Sequence, residues 1–430
     1  MTSEKKELRN PWFWIPSLYF AEGIPYVIVM TVSVIMYKRL EISNTEIALY
    51  TSWLYLPWVI KPLWSPVVDI LKTKRYWIVL MQLVIGAGLA GVALTIPADN
   101  FFKYSLIFLW LMAFSSATHD IAADGFYMLG LTKNDQAFFV GIRSTFYRIA
   151  MITGQGLLVI LAGYFEELYP QNIATAWSIT FMILAGLFII FMVYHKFILP
   201  YPKDDAPAVS DNGALFKEFF NTFILFFKKK NIGIIIAFLL LYRLGESQLV
   251  KLASPFLLDA KETGGLALST GEVGFIYGTV GILALTFGGL LGGFLAAKHG
   301  LKYWLWWMLI AINLPNAVYI YLAYALPESM FVISFCVAVE QFGYGFGFTA
   351  YMLYMILISD GKHKTAHFAI TTGFMALGMM LPGMISGWIQ QMLGYQNFFV
   401  WVLIATIPAF IITKFINIDS DFGKTTEKNS

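Results

Sequence analysis

The chain has 430 residues, of which 58% are hydrophobic, 17% aromatic and only 13% charged. Soluble domains carry about a quarter charged residues, so this composition excludes a water-soluble globular fold. A net charge of +3 argues against a nucleic-acid partner, and the single cysteine, Cys336, rules out a disulfide framework and a cysteine-based metal site.

Apolar runs long enough to cross a hydrocarbon core, which takes about 20 helical residues, recur from end to end. In chain order twelve spans are predicted, at 12–37, 46–70, 76–97, 101–130, 136–165, 173–198, 232–258, 270–297, 303–325, 328–358, 364–393 and 395–416. The first is too long for a signal peptide, carries Glu22 and is followed by no small-residue cleavage site, so it reads as a span. The widest polar gap, 199–231, divides the spans six and six. It separates an N-terminal half, 1–198, from a C-terminal half, 232–430. Pro200, Pro202 and Pro207 with Asp204 and Asp205 mark its first part as a linker. In its second part, "ALFKEFFNTFILFFKKK" sets apolar residues at 215, 216, 219, 220, 223, 224 and 227 before Lys228, Lys229 and Lys230. That spacing predicts a helix lying on the membrane surface.

With the N-terminus in the cytoplasm, the segments on that side hold twenty lysines and arginines. The outer loops hold four: Lys38, Arg39, Lys103 and Lys261. The positive-inside rule therefore predicts a multi-pass protein with both termini cytoplasmic. Two six-helix halves joined by a long cytoplasmic loop suit an alternating-access transporter, and twelve spans can enclose one site in a monomer.

Ionisable residues deep in a span are expensive, about 2.5–3.5 kcal/mol each even on lenient insertion scales, and so must line a cavity or pair. Here they are Glu22, Lys61, His119, Asp120, Asp124, Arg143, Arg148, Arg243, Glu246, Lys251 and Glu340. Asp120 and Asp124, four residues apart in span 4, share a helix face. Span 5 runs antiparallel and carries Arg143 and Arg148, so equal depth predicts the pairs Asp124–Arg143 and Asp120–Arg148. Such pairs either rigidify the half or couple transport to protons by breaking and reforming. His119 points about 100° away from Asp120 and is either a proton-relay member or a packing histidine. Glu22 lies in "YFAEGIPY", where Gly23 and Pro25 interrupt the helix, and such breaks are tolerated where they line a cavity.

In the second half, "YRLGESQLVK" places Arg243 and Glu246 at i, i+3, where they can pair, while Lys251 has no local partner. Arg243 and Lys251 are candidates for a substrate carboxylate. Glu340 and Gln341 precede "GYGFGF", whose glycines allow close helix approach, as do Gly274/Gly278 and Gly383/Gly387. Trp12 and Trp14 suit an interfacial belt, whereas Trp53 and Trp58 can also stack on sugar rings.

"SPVVDILKTKR" after span 2 and "GGFLAAKHGLK" after span 8 resemble the loop signature of the major facilitator superfamily, which implies gating roles for Asp69, Lys74, Arg75, Lys298 and Lys302. Ser65 replaces the first glycine of one copy and Ala297 the acid of the other. "YFAEGIPY", "KPLWSPVVD", "AFSSATHDIAADG" and "STFYRIAMITGQG" together resemble the AmpG muropeptide permeases, in the peptide, acetyl-coenzyme A and drug transporter branch of that superfamily. Ser116, Ala117, Asp120 and Asp124 match the family's span 4 pattern. The resemblance implies an all-helical major facilitator fold in the bacterial inner membrane. It implies import of anhydromuropeptides, disaccharide-peptides of the cell wall, from periplasm to cytoplasm by proton symport. Asp120, Asp124, His119 and Glu22 are then the coupling candidates, with Arg243, Glu246, Lys251, Trp53, Glu340 and Gln341 as substrate contacts. No cofactor or metal is implied. A siderophore or another sugar or peptide conjugate of the same branch is the alternative cargo. An integral-membrane transferase is the alternative class, but it needs a catalytic constellation at a membrane face, and no His/Asp metal cluster or large soluble domain is evident.

Overall fold

The structure, a computed structural model, describes residues 9–206, 212–361, 363–419 and 422–424. Among them every regular element is helical. In chain order these are α1 (Ile15–Val27), α2 (Ser33–Arg39), α3 (Asn44–Trp53), α4 (Leu56–Leu71), α5 (Lys74–Thr95), α6 (Phe101–Gly130), α7 (Lys133–Ile152), α8 (Leu158–Leu168) and α9 (Ile173–Ile198). They continue with α10 (Asn212–Phe227), α11 (Ile232–Leu241), α12 (Leu244–Leu258), α13 (Thr270–Val273), α14 (Ile282–His299) and α15 (Leu301–Asn313). The last are α16 (Ala317–Ala325), α17 (Met330–Ser359), α18 (Lys364–Ile404) and α19 (Ile407–Thr413).

Ten helical stretches among the described residues are long and apolar enough to cross a membrane. The predicted count of twelve differs for two physical reasons. The predicted second span is two shorter helices, α3 and α4, interrupted at Leu54–Tyr55. The predicted eleventh and twelfth spans form one stretch, Lys364–Thr413. At about 1.5 Å per residue its 50 residues far exceed the roughly 30 Å of hydrocarbon. The chain turns within it at Gly394, whose φ of 70° and ψ of 168° no helical residue adopts.

Several spans are not regular. Pro25 removes a backbone donor inside α1, and the ladder widens into a π-helical turn at Ile28–Val32. A second such turn, Thr153–Leu157, joins α7 to α8, and a third, Gly274–Gly281, joins α13 to α14.

The chain forms two compact units. Unit 1 holds residues 1–40 and 60–219, and unit 2 holds 41–59 and 220–430. The second boundary falls inside the predicted linker, and residues 41–59, which carry α3, belong with unit 2. Unit 1 has a core of Trp14, Tyr19, Val68, Ile78, Phe126 and Tyr127. In unit 2, Phe238, Tyr242, Met308, Tyr351 and Tyr354 form the corresponding mass, with the Tyr242 and Tyr351 rings stacked 5.2 Å apart. Large apolar side chains also cover the outer helix faces; Phe287, Leu290, Phe294 and Phe331 are all exposed. Water would penalise such surfaces, whereas lipid does not. On α10 the described part of the predicted apolar face behaves in the same way. Phe220, Ile224 and Phe227 are exposed, while Thr222 and Phe226 turn inward; side chains 212–219 lie outside the described residues.

Glycine brings α14 and α17 into backbone contact. A Cβ on Gly345 would lie 1.9 Å from the Leu285 carbonyl oxygen, and one on Gly288 2.1 Å from that of Phe342. With no hydrophobic force between helices in lipid, this contact is a main source of association. Gly345→Ala should therefore destabilise the protein by about 1–3 kcal/mol, the usual range for overpacking. The check is the temperature at which detergent-solubilised protein loses monodispersity; an unchanged value would contradict the contact.

Candidate functional site

Unit 1 gathers the acids of its first and fourth predicted spans. Glu22 sits on α1, buried, where Gly23 lets the helix approach α7: a Cβ there would meet Ala150 Cβ at 2.8 Å. Asp120 and Asp124 share one face of α6. One oxygen of each of the three carboxyl groups lies within 4.8 Å of the others. Glu22 Oε2 is buried without a partner.

Two cations answer these acids. Arg143 Nη2 stands 2.6 Å from Asp124 Oδ1, as the depth argument anticipates. The guanidinium is centred 4.6 Å from the Tyr19 ring and 5.4 Å from that of Tyr127, so two aromatic faces hold it in place. The Asp120 partner differs from the prediction. It is Lys61 of α4, whose Nζ donates to Asp120 Oδ2, and Arg148 instead leaves Nη1 buried without a partner. Equal depth sets height but not azimuth. Arg143 and Arg148 are five residues apart, about 140° on the helix wheel, so they cannot both face the Asp120/Asp124 stripe. Lys61 is the only basic residue in the predicted second span, and that signal was there to be weighed.

His119 points away from this cluster into a polar chain that links four helices. Gln82 Nε2 meets His119 Nε2 at 3.0 Å, His195 Nδ1 meets Gln82 Oε1 at 2.9 Å, and Ser17 Oγ meets His195 Nε2 at 2.9 Å. Gln82 lies between the two histidines, with its amide nitrogen toward His119 and its amide oxygen toward His195.

The predicted gating loop of unit 1 is anchored by the linker. The backbone N–H groups of Lys74 and Arg75 donate to Asp205 Oδ1 and Oδ2 at 2.6 and 3.1 Å, a carboxylate seated at a helix N-terminus. Arg75 also stacks 3.9 Å over Tyr201 and donates to the Lys196 carbonyl. The Asp69 side chain lies outside the described residues. In unit 2, Lys298 and Lys302 are exposed, flanking Gly300 at φ 88°.

Unit 2 has its own buried charges. Arg243 occupies the break between α11 and α12. Its Nε donates to Glu246 Oε2 at 2.8 Å and its Nη2 to the Tyr344 hydroxyl at 2.8 Å. Glu340 Oε2 accepts from Gln341 Nε2 at 2.9 Å. Lys251 is buried, donates to Thr51 Oγ1 at 3.0 Å and lies 5.5 Å from the Tyr55 ring centre. Among the described residues it has no carboxylate partner. Trp53, two residues from Thr51, is exposed. Nearby, Asn44 Nδ2 donates to Gln390 Oε1 at 2.9 Å and to the Tyr395 hydroxyl at 2.8 Å, and Tyr395 donates to Asp259 Oδ2 at 2.6 Å. These polar residues escaped the sequence reading because asparagine, glutamine and tyrosine near span ends carry no sign that they converge.

A family model described as Major Facilitator Superfamily matches residues 17–249. The chain is 26% identical over 420 residues to a protein of Rickettsia conorii named Putative transporter AmpG 4, covering 94% of this chain and 96% of that one. It is 23% identical over 402 residues to the Anhydromuropeptide permease of Escherichia coli K12, covering 92% and 77%. Among solved structures, a variant of the nucleoside transporter NupG superposes with a TM-score of 0.71 at 15% identity, covering 94% of this chain and 99% of that one. The D-xylose-proton symporter superposes at 0.65 and 13% identity, covering 96% and 98%. At these identities the structural likeness is one of fold.

Proposed function

Because the chain belongs to the Major Facilitator Superfamily, and is thus a multi-pass membrane transporter, we propose that it imports anhydromuropeptides by proton symport. The substrate reading rests on relatives with AmpG and anhydromuropeptide permease names that match nearly the whole chain. It agrees with the resemblance of the span 1, 2, 4 and 5 motifs.

The coupling reading rests on one observation, the convergence of Glu22, Asp120 and Asp124 on Lys61 and Arg143. Three carboxylates against two cations leave one negative charge in a region of low dielectric, and a single proton balances it. Carboxyl groups this close, such as those of Glu22 and Asp120, can hydrogen-bond to each other only while one of them carries a proton. Loading that proton lets the ion pairs close; releasing it leaves an unbalanced cluster that favours a different arrangement of α1, α4, α6 and α7. A ligand can shift such an equilibrium only by its differential affinity for the two states, and proton and substrate together supply it.

Proteoliposomes holding the purified protein test the substrate. Radiolabelled anhydromuropeptide should enter, and excess unlabelled nucleoside or xylose should not compete. Uptake of either competitor in place of the muropeptide would overturn the substrate assignment.

Lys251 is the proposed seat of a substrate carboxylate, being a buried cation without an acidic partner among the described residues. Lys251→Gln should raise the Kd for a carboxylate-bearing muropeptide at least ~10-fold, as expected for one charge-assisted contact. It should leave the Kd for the carboxyl-free sugar moiety unchanged. Equal losses for both ligands would show that Lys251 supports packing instead.

A further inference from the structure

The acid cluster of unit 1 has a counterpart in unit 2 that ion pairing does not neutralise. Glu246 lies on the seventh predicted span and Glu340 on the tenth. Counted from the start of each half, these are the spans that carry Glu22 and Asp120 in the first. Glu246 is 0% exposed and Glu340 2%.

Arg243 is engaged by Glu246 Oε2, so that pair is neutral. Glu340 has only an amide: Gln341 donates to its Oε2, and its Oε1 is buried without a partner, as is Glu246 Oε1. Among the described residues, the groups that face Glu340 are Glu246 on α12, Tyr277 in the turn before α14, Tyr319 on α16 and Gln341 on its own helix. Arg243 and its partner Tyr344 stand behind Glu246. Tyr319 is itself buried with its hydroxyl unpartnered. Among the described residues the one cation of the group, Arg243, is already matched.

A carboxylate held this way, without counter-ion or sufficient donors, is strongly disfavoured, and a proton removes the charge. A substrate ammonium would neutralise it too, but losing the acid would then cost substrate affinity, which the test below reads separately.

We propose that Glu340 is a second proton-binding site, distinct from Glu22–Asp120–Asp124, so that two protons move with each substrate. This rests on the symport reading above and adds a stoichiometry to it.

The test is an equilibrium one. Proteoliposomes are clamped at zero membrane potential, and the substrate gradient that just halts net flux is measured against an imposed pH difference. For each pH unit, two coupled protons hold a gradient of about 100-fold and one proton about 10-fold. The wild type should hold about 100-fold. Glu340→Gln, which keeps the shape and a partner for Gln341, should hold about 10-fold with substrate Kd unchanged. A wild-type value near 10-fold overturns the second site and needs no variant that must fold. So does a variant that still holds 100-fold, or one that loses substrate affinity at unchanged stoichiometry. No response to pH in the wild type would instead remove the symport reading itself, a result distinguishable from all of these.

Discussion

Asp120→Asn should reduce muropeptide uptake at least ~100-fold while lowering stability, because the residue stands where three interactions meet. Its carboxylate accepts from Lys61 Nζ and lies within 4.8 Å of a carboxyl oxygen of both Glu22 and Asp124. The amide cannot pair with the Lys61 charge, which loses its bonded carboxylate and keeps only the more distant Asp124 and Glu22. Removing one partner of a fully dry pair costs about 3–5 kcal/mol. Here the two side chains keep 25% and 23% of their surface, so about 1–3 kcal/mol is the fitting range. Lys61→Met should destabilise by a similar amount, by stranding Asp120. The double change Lys61→Met, Asp120→Asn removes both charges and should recover most of the stability lost in either single variant. Uptake should stay low, since the acid is gone. Thermal unfolding of the four proteins in detergent gives the coupling energy directly, and strictly additive losses would contradict the pair. The same cycle built on Arg148 should show little coupling with Asp120.

The second large effect concerns Glu22. A glutamine there can donate permanently to Asp120, imitating the proton-loaded cluster. Glu22→Gln should therefore bind substrate and exchange internal for external label at rates near wild type. Net accumulation should fall from about 100-fold to about 10-fold per pH unit, because only the Glu340 proton then links flux to the gradient. The separation of exchange from accumulation is what distinguishes a coupling residue from a packing one. Equal loss of both activities would place Glu22 in the structural scaffold.

How much of this was legible from the residues alone depended on the kind of signal. Membrane class and helical architecture follow from apolar runs whose length is set by the bilayer, so they were readable. The Arg143–Asp124 and Arg243–Glu246 pairs were also readable, being fixed by antiparallel depth and by i, i+3 spacing. Lys61 was visible as an intramembrane charge but not as the Asp120 partner. That depends on which neighbour packs against α6 and at what azimuth, and neither is local. The interruption of the second predicted span at Leu54–Tyr55, and the passage of residues 41–59 into unit 2, left no mark in hydropathy. The chain through Gln82, His119, His195 and Ser17 was hidden because glutamine and serine in apolar helices look like isolated polar residues until three-dimensional packing joins them.

Everything said of mechanism depends on protons driving solute movement through this protein. The most direct measurement is labelled anhydromuropeptide uptake into proteoliposomes when the side supplying the solute is made acidic. Solute should accumulate above equilibrium, and a protonophore should abolish that accumulation. Flux identical with the gradient present, absent or reversed would contradict proton coupling.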